Sequence, residues 1–188
     1  MGKIISLAGR KYSGKSELAN ICVKMGFKLL PMAKPLKSLV SNIVGVDVNQ
    51  SQESKERIIN IFLNEEQQNY LSKETNIDIS LIKECASNHL IKDVREALQF
   101  IGTDIIRKYN PNWHVNKIKE MIEPNSNYVC DDMRFPNEMK MFQELGAECW
   151  FVVRPEINNI SNHISETSLK WQDFGNKIII NDSPLIIF

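Results

Sequence analysis

The chain has 188 residues, 43% of them apolar, and carries 23 lysines and arginines against 23 aspartates and glutamates. That length and composition describe one folded domain, or one domain with a small excursion, with enough apolar content for a real core. A net charge of zero argues against bulk binding to nucleic acid or an anionic membrane, yet leaves room for a local positive cleft that holds a small anion. No apolar run is long enough to cross a bilayer, and no signal peptide is read before the first strand, since Lys3 is followed by only a short apolar run. Cys22, Cys85, Cys130 and Cys149 are scattered, with no C-x-x-C pair and no histidine at a metal-ligand offset, which reads as reduced thiols in a cytoplasmic protein.

The first element is a short buried strand at 4–8, rich in β-branched residues, and the next a helix at 16–25 with Leu18, Ile21, Cys22 and Met25 at helical spacing. Between them lies GRKYSGKS, in which Gly9, Arg10, Lys11, Tyr12, Ser13, Gly14, Lys15 and Ser16 complete the pattern G-x-x-x-x-G-K-[ST] of a phosphate loop. Glycines suit it because the turn must bend tightly and bring backbone N–H groups onto phosphate oxygens, while the following helix adds its positive end. Lys15 then reaches the β and γ phosphates of a nucleotide such as ATP, and the Ser16 hydroxyl is placed to ligate Mg²⁺. The bland alternative is an ordinary glycine turn; strand and helix on its two sides favour the phosphate reading.

A second strand is expected at 27–30 and a helix at 36–44, entered through Pro35, whose missing N–H costs nothing in a first turn. From 46 to 90 the chain is polar, with short helices expected at 53–68 and 79–89; it reads as a helical insertion that grips an acceptor. A long amphipathic helix is expected at 92–109, with Val94, Leu98, Ile101, Ile105 and Ile106 on its apolar face. Its other face carries Arg95, Gln99, Thr103 and Arg107 at successive spacings of four, which puts them on one stripe. Two arginines, an amide and a hydroxyl there suit a monophosphate and its base or sugar, because the guanidinium fork donates in pairs. A solvated helix face is the simpler alternative, and Gly102, costly in mid-helix, marks close approach of a ligand or another helix.

A helix follows from Asn112, with Phe100 and Trp113 read as core residues rather than base-stacking platforms. Strand 127–130 then runs into Asp131 and Asp132, with Arg134 just beyond, so a carboxylate and an arginine stand at a strand end where a metal or phosphate would bind. A surface ion pair in a solvated turn is the alternative. A helix at 137–145, a strand at 148–153, a polar lid-like stretch at 156–173 and a last strand at 177–180 complete the chain. Strands alternating with helices imply a parallel sheet with its ligands at the strands' carboxyl ends. No Asn-Lys-x-Asp element of guanine-selective switches is present.

Taken together, GRKYSGKS, MAKPLK at 32–37, REALQFIGTD with Arg107, DDMRFPNE at 131–138, and VVRP followed by NHISE at 162–166 resemble the deoxynucleoside monophosphate kinases of large DNA bacteriophages and large DNA viruses. The resemblance implies an α/β fold of the P-loop, nucleoside-monophosphate-kinase type, three-layered, built on a parallel sheet as a single domain with a helical substrate-binding insertion. It also implies transfer of the ATP γ-phosphoryl group to a deoxynucleoside monophosphate with Mg²⁺. On that likeness residues 9–16 hold ATP, and Lys37, Arg95, Gln99, Thr103 and Arg107 line the acceptor side. Asp132, Arg134 and Glu138 stand beside both substrates, with Ser16 and Asp132 on the metal, and Lys15, Asp132, Arg134 and Arg107 are the expected catalytic set. Arg154, His163, Ser165 and Glu166 belong to the closing region, while Asp131 is an additional acid beside the matched one.

A kinase of the same architecture acting on another phosphorylated acceptor such as phosphomevalonate is the nearest rival, and a non-catalytic nucleotide-binding module a more distant one. The expected partner is a small-molecule substrate, with no nucleic acid and no membrane, and the prevalence of homo-oligomers makes a homodimer the expectation for assembly. The chain runs to NDSPLIIF directly after the last strand, where related kinases often continue into another helix.

Overall fold

The computed structural model describes residues 2–48, 56–155 and 168–182, which form two compact units, one made of residues 1–32 and 118–188 and the other of residues 33–117. The first holds the five-stranded sheet. β1 (Ile4–Gly9) is its centre, flanked by β5 (Tyr128–Cys130) and β6 (Glu148–Val153), with β2 (Lys28–Leu29) and β7 (Ile178–Ile180) outermost in the order β2-β5-β1-β6-β7. Every pairing is parallel, so each strand end on one side of the sheet presents its carboxyl terminus, as the alternation of strands and helices implies.

Helix α1 (Lys15–Lys24) follows β1 directly and sets Ala19 into a cluster with Leu7, Val129 and Val152. Helix α7 (Pro136–Glu144) follows β5 and buries Met139, Met141 and Phe142; Pro136 opens its first turn, where no N–H partner is needed. The sheet flanked by helices is the α/β, P-loop kinase-like architecture read from the sequence.

The second unit is helical but for one hairpin-like pair. Helices α2 (Lys34–Val44), α3 (Glu65–Thr75), α4 (Ile79–Ala86) and α5 (Val94–Gln99), with a π-helical segment at Phe100–Arg107, close on a core in which Val40, Leu71, Ile82, Ile91, Val94, Ala97, Ile101, Ile105 and Ile106 are fully buried. Helix α6 (Trp113–Met121) follows the π-helical segment. β3 (Ile58–Ile61) and β4 (Ile91–Asp93) pair antiparallel, with an irregularity at Asn60 in the left-handed region.

This corrects one expectation and trims another. The helix expected at 53–68 is absent over 58–61, where three isoleucines favour a strand, and residues 49–55 lie outside the described residues. Helix α3 is capped by Asn64, whose side chain accepts from Gln67 N while Asn64 N donates to Gln67 Oε1, a capping box that the Asn-x-x-Gln spacing spelled. The helix expected at 92–109 is present as one continuous run from 94 to 109, but begins later: Asp93 ends β4 and caps α5 by accepting from Glu96 N at 2.8 Å, and the helix widens to π geometry over Phe100–Arg107. Gly102 belongs to packing, since a Cβ there would lie 2.6 Å from Leu36 Cδ2 of α2.

Gly9→Ala is expected to destabilise the first unit by about 2 kcal/mol or more, because the residue sits at φ +138° and a Cβ would fall 2.3 Å from the Val152 carbonyl oxygen. Thermal or urea unfolding checks this, and an unchanged midpoint would remove the constraint.

Candidate functional site

The phosphate loop spans the turn from β1 into α1. Three positive φ values, at Gly9, Tyr12 and Gly14, mark the left-handed turns from which backbone anion nests are built. Ser13 N donates to Arg10 O at 3.2 Å, and Lys15 Nζ arches back to the Arg10 carbonyl at 2.7 Å. The lysine is thereby held over the loop rather than extended into solvent. Arg10, Lys11 and Tyr12 are exposed whereas Ser13 and Gly14 are buried.

One residue that sequence reading missed locks this loop. Asn181, just past β7, donates its side-chain amide to Ser13 O at 3.0 Å and its backbone N–H to Val153 O at 2.8 Å. It fills the space where a Gly14 side chain would go, since a Cβ there would lie 2.2 Å from Asn181 Nδ2. No local signal marks it, because its partner is 168 residues away in the chain.

The three acids after β5 divide by geometry. Ser16 Oγ donates to Asp131 Oδ2 at 2.8 Å, so the serine read as a metal ligand meets Asp131. Asp132, given that place by resemblance, turns its Oδ1 to Met32 N at 2.8 Å and to the Cys130 thiol at 3.4 Å. Burial and Asp132 push the Cys130 thiol well above its ordinary pKa, which keeps it a protonated donor and no nucleophile. Glu138 is 1% exposed, and its Oε2 accepts from both Arg134 N at 2.8 Å and Phe135 N at 3.1 Å. It stands at the third position of α7 and fixes the turn that presents the exposed Arg134.

Among hard oxygen donors, a hydroxyl beside a carboxylate suits Mg²⁺, which takes one or two protein oxygens and completes its shell with phosphate and water. The Ser16 and Asp131 pair fits that requirement. No cluster of three or more His, Cys, Asp or Glu occurs among the described residues.

In the second unit the stripe of Arg95, Gln99, Thr103 and Arg107 faces away from the core. Arg95 and Gln99 are exposed and Thr103 and Arg107 half-buried, whereas Val94, Ala97, Ile101 and Ile105 between them are fully buried. Arg95 meets Glu56 at 3.4 Å in an exposed pair, and Lys37 is half-buried on α2. Phe100 stacks on His89 with centroids 3.8 Å apart, and Trp113 donates its indole N–H to Glu74 O at 2.9 Å. Both are core residues, as read. Arg154 is half-buried at the end of β6, and His163, Ser165, Glu166 and most of the expected lid at 156–173 lie outside the described residues.

His114 lies on α6. It is 4% exposed, and burial together with the charge of Arg107 pushes its pKa down to about 3. The imidazole is therefore neutral in the folded protein and adds no positive charge beside Arg107.

The sheet, the loop between β1 and α1, and the acid-tipped β5 define the class: a phosphate-loop, kinase-like α/β protein. The chain belongs to the deoxynucleotide monophosphate kinase family, whose model matches residues 48–188. It is also similar, at 26% identity, to a protein of Acanthamoeba polyphaga mimivirus with the provisional name deoxynucleotide monophosphate kinase, in an alignment covering 97% of this chain and 90% of that protein. No helix among the described residues is long and apolar enough to cross a membrane.

The buried His114 gives a pH dependence of known sign. Its folded pKa lies below the unfolded value, so the unfolded chain binds the extra proton, and stability falls as pH drops from about 6.5 towards 3. Between pH 7 and pH 5 this residue alone is expected to cost about 2 kcal/mol. Thermal unfolding at both pH values should show a smaller acid loss in His114→Gln than in the parent, and equal losses would contradict the buried neutral state.

Proposed function

We propose that the protein transfers the γ-phosphoryl group of ATP to a deoxynucleoside monophosphate, giving the diphosphate, in the cytoplasm. The observation that carries this reading is the 2.8 Å bond between Ser16 Oγ and Asp131 Oδ2, which ties the phosphate loop to the acidic end of the neighbouring strand. Family membership supports the choice of acceptor.

Phosphoryl transfer asks mainly for positioning and for neutralisation of charge that spreads over the moving group. The loop N–H groups of residues 9–16 hold the donor phosphates, and Lys15 leaves the Arg10 carbonyl to follow the phosphoryl group as it moves. Mg²⁺, when bound, would supply charge neutralisation for the nucleotide's phosphates. Ser16 and Asp131 would hold that metal's side of the site, and Asp132, bonded to the Met32 N–H, orders the acceptor side of the turn. Arg134, set by Glu138, and Arg107 offset charge on the acceptor phosphate and the transferring group. Arg95, Gln99, Thr103 and Lys37 read the rest of the acceptor, and Arg154 and Glu166 act on closure. Fixed charges of this kind favour the transition state because they need no reorganisation as charge moves.

Release of ADP from Mg-ATP is expected to rise with one or more of dTMP, dGMP, dCMP and dAMP and not with phosphomevalonate. Lys15→Ala should abolish that turnover while the protein still unfolds cooperatively, and unchanged turnover would sink the assignment. Asp131→Asn is expected to raise the Mg²⁺ needed for half-maximal rate by about 10- to 100-fold, with a smaller shift in Asp132→Asn. The reverse order in a metal titration would return the metal role to Asp132.

A further inference from the structure

The end of β7 reaches the phosphate loop through one residue. Asn181 N donates to Val153 O at 2.8 Å, one step beyond the last register pair of Val153 with Ile180, so its backbone is carried by the same parallel ladder as the strand before it. β6 lies between β7 and β1, and its end serves both neighbours: Val152 is in register with Gly9, and Val153 O takes the Asn181 N–H. From that position the Asn181 side-chain amide donates to Ser13 O at 3.0 Å. The loop is thereby tied to a backbone that the sheet fixes.

What the bond fixes is a peptide plane. In a trans peptide the carbonyl and the following N–H point in opposite directions across a rigid plane. Holding Ser13 O toward Asn181 therefore turns the Gly14 N–H to the other side. Without that hold the plane is free to turn over, because the rotation falls on ψ of Ser13 and φ of Gly14, and glycine admits both signs of φ about as readily. Gly14 stands at φ +99°, and a Cβ there would lie 2.2 Å from Asn181 Nδ2. The residue that excludes a side chain from position 14 thus supplies the rigidity that glycine gives up. Ser13 is 2% exposed, so its carbonyl, deprived of the amide, would be a buried acceptor without a donor, which is costly. Lys15 Nζ holds the Arg10 carbonyl at 2.7 Å, but that lysine turns to phosphate when a nucleotide binds. The Asn181 bond uses no group that a ligand takes.

We propose that Asn181 is a positioning residue for the phosphoryl donor: through the Ser13–Gly14 peptide it sets the Gly14 N–H as a fixed hydrogen-bond donor to the nucleotide's phosphates. It acts from outside the loop and touches no substrate. A donor oriented before the anion arrives favours binding because no reorganisation is then needed. The inference rests on the donor-site reading above and adds to it the group that keeps the loop in its binding form.

The test compares Asn181→Leu, which keeps the volume and removes the amide, with Ile179→Ala, which loosens the same strand where Ile179 packs on the core in register with Val152 and leaves the loop alone. In the full-length protein, calorimetric affinity for tripolyphosphate and for ATP is expected to fall about tenfold in Asn181→Leu, as loss of a hydrogen bond to a buried acceptor gives, and to match the parent in Ile179→Ala. In turnover the KM for ATP should rise while the KM for the deoxynucleoside monophosphate holds. Tripolyphosphate should move the Gly14 amide proton resonance downfield in the parent and much less in Asn181→Leu. Equal losses of affinity in the two variants would reduce Asn181 to a residue that stabilises the fold and would overturn the proposal. Parent-like affinity and a parent-like Gly14 shift in Asn181→Leu would overturn it too, and with both ligands lost in Lys15→Ala that result leaves the donor site standing. Failure of the parent to bind either ligand would overturn both readings.

Discussion

The carbonyl oxygen of Val152 stands 2.3 Å from where a side chain at Gly9 would begin. β1 therefore leaves the sheet while still in register with β6, Gly9 opposite Val152, and turns at once into the phosphate loop. Only a residue without Cβ meets both demands, a left-handed backbone angle and a neighbouring strand in contact. The rest of the site follows from that turn. It starts α1 at Lys15, places Ser16 toward the end of β5, and leaves Ser13 and Gly14 against Asn181.

Around that turn, three carboxylates within eight residues do different work because their surroundings differ. Asp131 faces the Ser16 hydroxyl, Asp132 faces a backbone N–H and a thiol, and Glu138 is buried with two N–H donors on one oxygen. A buried carboxylate is tolerated only when hydrogen-bonded, and Glu138 repays that need by holding the backbone of Arg134. Sequence motif alone treats the three acids as one cluster. Their directions separate one that meets the loop hydroxyl, one that holds a backbone N–H across from β5, and one that fixes the turn before α7.

The polar stripe of Arg95, Gln99, Thr103 and Arg107 shows a similar economy. Val94–Gln99 is α-helical and Phe100–Arg107 π-helical, so a spacing of four advances slightly in the first part and lags in the second, where the turn is wider. The two drifts oppose each other, and Arg95, Gln99, Thr103 and Arg107 keep off the core across the change. π-helical segments are rare and recur at functional sites. Here the segment coincides with the half-buried part of the stripe, next to a histidine kept neutral by burial and by Arg107.

The sequence by itself determined whatever depends on local order. The glycine spacing and the following Lys-Ser mark the phosphate loop, the apolar period gives the sheet strands, α1, α4 and α7, and the four-residue spacing gives the polar stripe of Arg95, Gln99, Thr103 and Arg107. Such features are local because turns, caps and amphipathic faces are decided within a few residues. The tertiary structure decided what long-range approach controls: which acid meets Ser16, that Asn181 braces the loop, that Gly102 makes room for Leu36, and that Trp171 borders a cavity beside the loop. The strand at Ile58–Ile61 is of this second kind, since its partner at Ile91–Asp93 lies some thirty residues on. A two-stranded ladder draws its stability from the pairing and not from either segment alone, so the isoleucine run became a strand only once its partner was in place.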